Sequence, residues 1–160
     1  MDFTLTSSSL TPGQSVPNHF IFDGLGCHGD NVSPALEWSG APDETKSFAV
    51  TVFDPDAPTD HGWWHWAVVN IPVTVTSLEE GASNNRTLPK EAIEVMTDFN
   101  KTGYGGPCPP RGDKPHRYIF TVHALRKELD VKPNTNGVSI EKKIEANSLA
   151  RASFTVQYGR

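Results

Sequence analysis

The chain has 160 residues, enough for a single domain spanning 1–160 that buries roughly 70% of the surface its unfolded form exposes. Apolar residues at 36% and charged residues at 21% exclude a disordered chain. The net charge of −5, with no Lys/Arg block, argues against nucleic acid as a partner, and no stretch approaches the ~18 apolar residues of a membrane span.

The opening Met1-Asp2-Phe3-Thr4-Leu5-Thr6 has neither the basic head nor the apolar run of a secretory signal, so a cytoplasmic location is expected. His19-Phe20-Ile21-Phe22 reads as a short strand, followed by the glycine-rich loop Gly26-Cys27-His28-Gly29. Phe48 to Asp54 alternates as a longer strand, with Phe48, Val50, Val52 and Asp54 in phase. The stiff loop Asp54-Pro55-Asp56-Ala57-Pro58 comes next, where a cis bond before Pro58 is one way to hold an aspartate at an unusual angle. Trp64 to Ile71 is a second strand that groups His65, Ala67 and Val69 on one face.

Ser77 to Arg86 is polar and reads as a surface loop, and Lys90 to Val95 after Pro89 as a short helix. Without an export signal the sequon Asn85-Arg86-Thr87 carries no glycan expectation. The loop Gly106-Pro107-Cys108-Pro109-Pro110 leads through Arg111-Gly112-Asp113, a plain polar turn, into a third strand from Arg117 to Leu125. His116, Tyr118, Phe120 and Val122 share one face of it, so Arg117 points to the other and pairs with a carboxylate behind any pocket. A helix is expected from Ser139, as N-cap, to Arg151, and a fourth strand from Ser153 to Tyr158. Several short strands among 13 glycines and 13 prolines predict an all-β fold with one or two short helices, a mainly antiparallel β-sandwich.

Phasing has a functional consequence. Asp54 ends its strand, whereas His65 and His116 begin theirs, so an antiparallel arrangement brings all three side chains to one end of the sheet. No nucleophile is plainly paired with a base, which points to recognition rather than turnover. The competing reading is a hydrolase with Cys108 as nucleophile and His65 or His116 as base. Cys27 and Cys108 permit one pairing, and both a bridge and two thiols stay open, with reduced thiols favoured because cytosolic cysteines stay reduced. His61 and His65 lie four apart, a spacing that converges on a metal only in a helix, so neither metal nor cofactor is expected. Trp63 or Trp64, if exposed, suits a protein interface such as a homodimer.

Taken together, Asp54-Pro55-Asp56-Ala57-Pro58, Trp64-His65-Trp66-Ala67-Val68-Val69-Asn70 and Pro109-Pro110 before His116-Arg117-Tyr118 resemble the two signature regions of the phosphatidylethanolamine-binding proteins, also called Raf kinase inhibitor proteins. Asp30 to Trp38 and Lys101 to Cys108 resemble the family's bacterial and archaeal branch. The resemblance covers nearly the whole chain. It implies a small-anion or phosphoryl head-group site formed by Asp54, Asp56, His65, His116 and Tyr118, with the backbone N–H of Cys108 as a further donor. It also implies a kinase or protease partner under regulation. Many eukaryotic members carry a further C-terminal helix with a pocket tyrosine; this chain ends after its last strand, which implies a more open pocket.

Overall fold

The computed structural model describes residues 2–160. In chain order the elements are β1 (Thr4–Thr6), β2 (Asp23–Gly24), β3 (Cys27–His28), β4 (Leu36–Ser39), β5 (Ser47–Asp54), β6 (Trp63–Pro72), β7 (Ser77–Leu78), β8 (Ile93–Glu94), β9 (His116–Leu125), α1 (Gly137–Asn147) and β10 (Ser148–Tyr158). Five strands form the main sheet in the order β10-β9-β5-β6-β8, every neighbour antiparallel. A smaller sheet, β1-β4-β7, covers one face of it, and β2 and β3 form a separate hairpin. No helix among the described residues is long and apolar enough to cross a membrane.

Period-two alternation divides the apolar residues of the main sheet between two cores. Phe48, Val50, Val52, Trp66, Val68, Tyr118, Phe120 and Val122 pack against Leu5, Leu36, Trp38 and Leu78 between the sheets. Ala49, Ala67, Val69 and Leu125 face the other way and are covered by Ile140 and Ile144 of α1. The expected sandwich is therefore present, with one helix laid on its outer face.

Local departures from the sequence reading have local causes. Asn18–Phe20 is a 3₁₀ turn rather than a strand: Phe20 and Ile21 donate their N–H groups back to Pro17 and Asn18, and Pro17 pre-sets φ at −63°. Lys90–Val95 is not helical, because Ala92 closes a turn onto Pro89 and Ile93–Glu94 pair with the edge of β6. Within the polar stretch 77–86, Ser77 and Leu78 add a short strand to β4, and Leu78 and Ala82 are buried. The helix starts earlier and ends sooner than expected. Asn136, not Ser139, is the cap, its side chain accepting from the Ser139 N–H at 2.9 Å, and Ser148 to Arg151 are drawn into pairing with Leu125 to His123. All peptide bonds among the described residues are trans, including the one before Pro58.

Candidate functional site

Since β5 runs antiparallel to both neighbours, its last residue, Asp54, meets the first residues of β6 and β9. Strict alternation would put His65 beside Ala67 and Val69, on the helix side of the sheet. The register shows otherwise: Val52 opposes Trp66 and Phe53 opposes Trp64, leaving His65 as the surplus residue of a β-bulge. A bulge re-aims side chains locally. Trp64 stays on the helix side, tilted onto Phe53, while His65 turns to the face of Tyr118, with 5.2 Å between ring centroids.

Asp54 is almost wholly buried and both its oxygens are used: Oδ1 accepts the Asp56 N–H at 2.8 Å and Oδ2 accepts His116 Nδ1–H at 2.7 Å. His116 Nε2 lies 2.9 Å from Asp113 Oδ2. Carboxylate oxygens only accept, so with both ring nitrogens donating, His116 is an imidazolium. Burial works against that charge, but the hydrogen bonds to Asp54 and Asp113 outweigh it and hold the His116 pKa above the ordinary value.

His65 is the opposite case. Its Nδ1–H donates to the Gly105 carbonyl at 2.7 Å, which leaves Nε2 as a bare acceptor. Burial depresses its pKa to about 4, so the ring is neutral at pH 7. Neither His65 Nε2 nor the Tyr118 hydroxyl has a partner, although both are buried. Burial, reinforced by the Asp54 charge, pushes the Tyr118 pKa up and keeps it an O–H donor.

The proline loop forms the remaining wall. Gly106 lies so close to the Phe20 and Ile21 backbone that a Cβ there would meet the Phe20 oxygen at 2.1 Å. Asn31 clamps the loop by accepting the Gly106 N–H at 2.7 Å and donating to the Tyr104 carbonyl at 3.2 Å. This approach brings Cys108 to the β2–β3 hairpin, where its sulfur is bonded to that of Cys27, with Cα atoms 6.0 Å apart. The favoured expectation of two reduced thiols is thus corrected, and in this state Cys108 has no thiolate with which to act as a nucleophile.

Asp54, His65, Cys108, His116 and Tyr118 line one cavity of about 200 Å³, together with Leu25, Ala57, Pro58, Thr59, Trp63, Phe99, Pro109 and Pro110. Asp56 is not among them. Arg117 grips both its oxygens, at 2.8 and 3.0 Å, and the Arg117 guanidinium holds the Asp56 carboxyl down at about 2. Arg117 therefore does pair with a carboxylate outside the pocket. His61 turns away as well, 3.5 Å from Asp98. A larger groove of about 540 Å³ lies on the helix side of the sheet, bounded by Glu141, Glu145 and Arg151. Its buried histidine, His123, is already bonded to Thr51, and its one orphaned polar atom is the Trp64 indole N–H, whereas the smaller cavity gathers an orphaned acceptor and an orphaned donor, His65 Nε2 and the Tyr118 hydroxyl, which makes it the candidate site.

Four contributors escape the sequence reading. Asp113, three residues before His116, was legible only as a turn residue, yet proline-restricted chain on either side confines its reach. The Gly105 carbonyl that fixes the His65 tautomer has no side-chain signature. Leu25 and Phe99 come from distant loops and enter only through tertiary packing, Phe99 lying 5.3 Å from the His65 ring.

Residues 6–159 match the family model described as phosphatidylethanolamine-binding protein. The chain is 48% identical over 159 residues to the UPF0098 protein YbcL of Escherichia coli, covering 98% of this chain and 87% of that one. It is 46% identical over 156 residues to the UPF0098 protein YbhB of the same organism, covering 96% and 98%. The crystal structure of E. coli YbcL, described as a new member of the mammalian PEBP family, superposes with a TM-score of 0.97 at 47% identity, covering 100% of this chain and 99% of that one.

Proposed function

The chain belongs to the phosphatidylethanolamine-binding protein family, and from that premise we propose that its cavity binds a small phosphoryl group in the singly protonated form. The observation that carries this reading is the pair of orphaned atoms. His65 Nε2 needs a donor and the Tyr118 hydroxyl needs an acceptor, both in one cavity of about 200 Å³. A hydrogen phosphate monoester supplies both: its P–OH donates to His65 and a charged oxygen accepts from Tyr118. The Asp54 carboxylate does not repel such a ligand as a bare charge, because the His116 imidazolium beside it balances it. The backbone N–H of Cys108 is the further donor in this scheme. The volume suits a head group, since sites for drug-sized ligands start at about 300 Å³.

We read the site as one for binding rather than turnover. Cys108 is bonded to Cys27, and the hydroxyl of Thr59 donates to the Gly62 carbonyl. Regulation of a kinase or protease belongs to the same proposal, since a phosphorylated side chain presented by a partner is one form in which the ligand could arrive.

Calorimetric titration with phosphorylethanolamine between pH 5 and 8 tests the reading. Affinity should rise as pH falls from 8 to 5.5, because the monoester gains its proton near pH ~6. Tyr118→Phe, which keeps the ring, should weaken binding about tenfold, the effect of one lost charge-assisted hydrogen bond. Affinity that climbs from pH 6 to 8, or a Tyr118→Phe variant that binds like the parent, would sink it.

A further inference from the structure

The two carboxylates on His116 are unequal in position. Asp54 lies inside, almost wholly buried, whereas Asp113 lies outside, with 42% of its side chain exposed, on the turn after Pro110. The turn is held in place: the Gly112 N–H donates to the Arg160 carbonyl and the Asp113 N–H to the Pro110 carbonyl. Asp113 does not line the cavity. It reaches the site only through the imidazole ring.

We propose that Asp113 is a positioning residue that holds His116 as an imidazolium and thereby keeps the Asp54 carboxylate neutralised against an incoming phosphoryl anion. The inference rests on the phosphoryl-binding reading above. Without an acceptor at Nε2, nothing in the geometry requires the second proton: a neutral ring protonated at Nδ1 alone satisfies Asp54 equally well. Asp54 would then face the ligand as a net negative charge. Thus an exposed residue outside the cavity governs the charge inside it.

The other charged and titratable groups near His116 do not substitute for Asp113. Arg117 is on the opposite face of β9 and committed to Asp56, in a bidentate pair. His65, on β6, is neutral and its Nδ1–H is given to Gly105. Tyr118 is a neutral phenol. Tyr158, the register partner of His116 on β10, and Arg160 border the outer groove that Asp113 shares. Arg160 donates to the Pro109 and Gly26 carbonyls. Asp113 is therefore the one carboxylate that reaches Nε2.

The test follows the His116 ring signals by NMR across pH 5 to 9 in the whole protein, assigned against His116→Gln, alongside phosphorylethanolamine titrations at pH 5.5 and 7.5. In Asp113→Asn the His116 midpoint should fall by roughly one pH unit, the effect of removing one adjacent charge. Affinity at pH 7.5 should then fall about tenfold, the equivalent of that shift. At pH 5.5, where the imidazolium forms unaided, the variant should bind at least as tightly as the parent. Asp113→Glu should restore both readings. A merely structural role would weaken binding equally at the two pH values, and that outcome overturns the proposal. An unmoved His116 midpoint overturns it too, as does a moved midpoint with unchanged affinity at pH 7.5. Should the parent bind no phosphorylethanolamine at any pH, the phosphoryl reading fails, and with it the effect on ligand. The NMR titration still decides whether Asp113 holds the proton on His116.

Discussion

A single residue, Pro55, separates Asp54 from Asp56, yet the sheet assigns them to different tasks. Asp54 is enclosed and bonded to His116, whereas Asp56 is turned outward into the Arg117 guanidinium. The resemblance grouped both with the ligand; of the two, only Asp54 lines the cavity. Exposed pairs such as Asp56–Arg117 contribute about 0–1 kcal/mol. Asp56→Ala should therefore change stability by no more than about 1 kcal/mol and leave phosphorylethanolamine affinity within about twofold of the parent. Asp54→Ala should weaken binding about tenfold or more, since the His116 ring and the Asp56 N–H both lose the acceptor that fixes them. Calorimetry on the two variants separates them, and equal losses would return Asp56 to the site. At this scale the sequence was informative about chemistry and blind to allocation. The residue types Asp, His and Tyr were legible, whereas the rotation that commits Asp56 to Arg117 depends on where the proline loop crosses the start of β9.

Among the elements, the long strands β5, β6 and β9 were readable because each is about eight to ten residues of β-branched and aromatic side chains in alternation. What alternation could not report was its own interruption. The surplus residue at His65 is visible only when β6 is paired with β5, so the sequence put His65 on the wrong side of its strand while still placing it at the correct end. The start of α1 shows the same limit. Ser139 and Asn136 are both good caps, and the choice falls to Asn136 because Gly137 lets the first turn press onto Trp64. Gly137 offers a sign test. Alanine in a helix is ordinarily favoured over glycine by about 1 kcal/mol. Here a Cβ would lie 2.2 Å from the Trp64 ring, so Gly137→Ala should destabilise by about 1–3 kcal/mol, the range for overpacking. Asn136→Ala should cost about 1 kcal/mol through the lost cap. Urea denaturation measures both, and a more stable Gly137→Ala protein would refute the close contact.

For the molecule as a whole, two predictions concern pH and redox state. His65 and His123 are both driven to about 4 by burial and are neutral in the folded protein. Each binds its proton more readily unfolded, so the stability linked to each is present above about pH 6.5 and is lost as pH falls from there toward 4. The contribution is about 3 kcal/mol for His65. His116, shifted upward, works in the reverse sense: its share is present below about 6.5 and fades as pH rises through its higher folded value. The two deeply buried histidines outweigh the upward shifts at His116 and at exposed His19, so the protein should be less stable at pH 4.5 than at 7, as measured by denaturant midpoints; a flat profile would contradict the assigned protonation states. The Cys27–Cys108 bond joins residues 81 apart, a span for which loop-closure entropy gives about 4 kcal/mol. Reduction should lower the thermal midpoint and loosen the wall carrying Leu25 and Cys108, with weaker phosphorylethanolamine binding as the second readout. That bond also sits uneasily with the cytoplasmic expectation, since such bridges persist where the surroundings are oxidising. The cavity draws on Leu25, Asp54, His65, Cys108 and Tyr118, so its walls come from separate stretches spread over most of the polypeptide. A fragment that stops short of Tyr118 lacks one wall, and one that begins after Leu25 lacks another; an assembled cavity thus requires the polypeptide to be continuous at least from Leu25 to Tyr118.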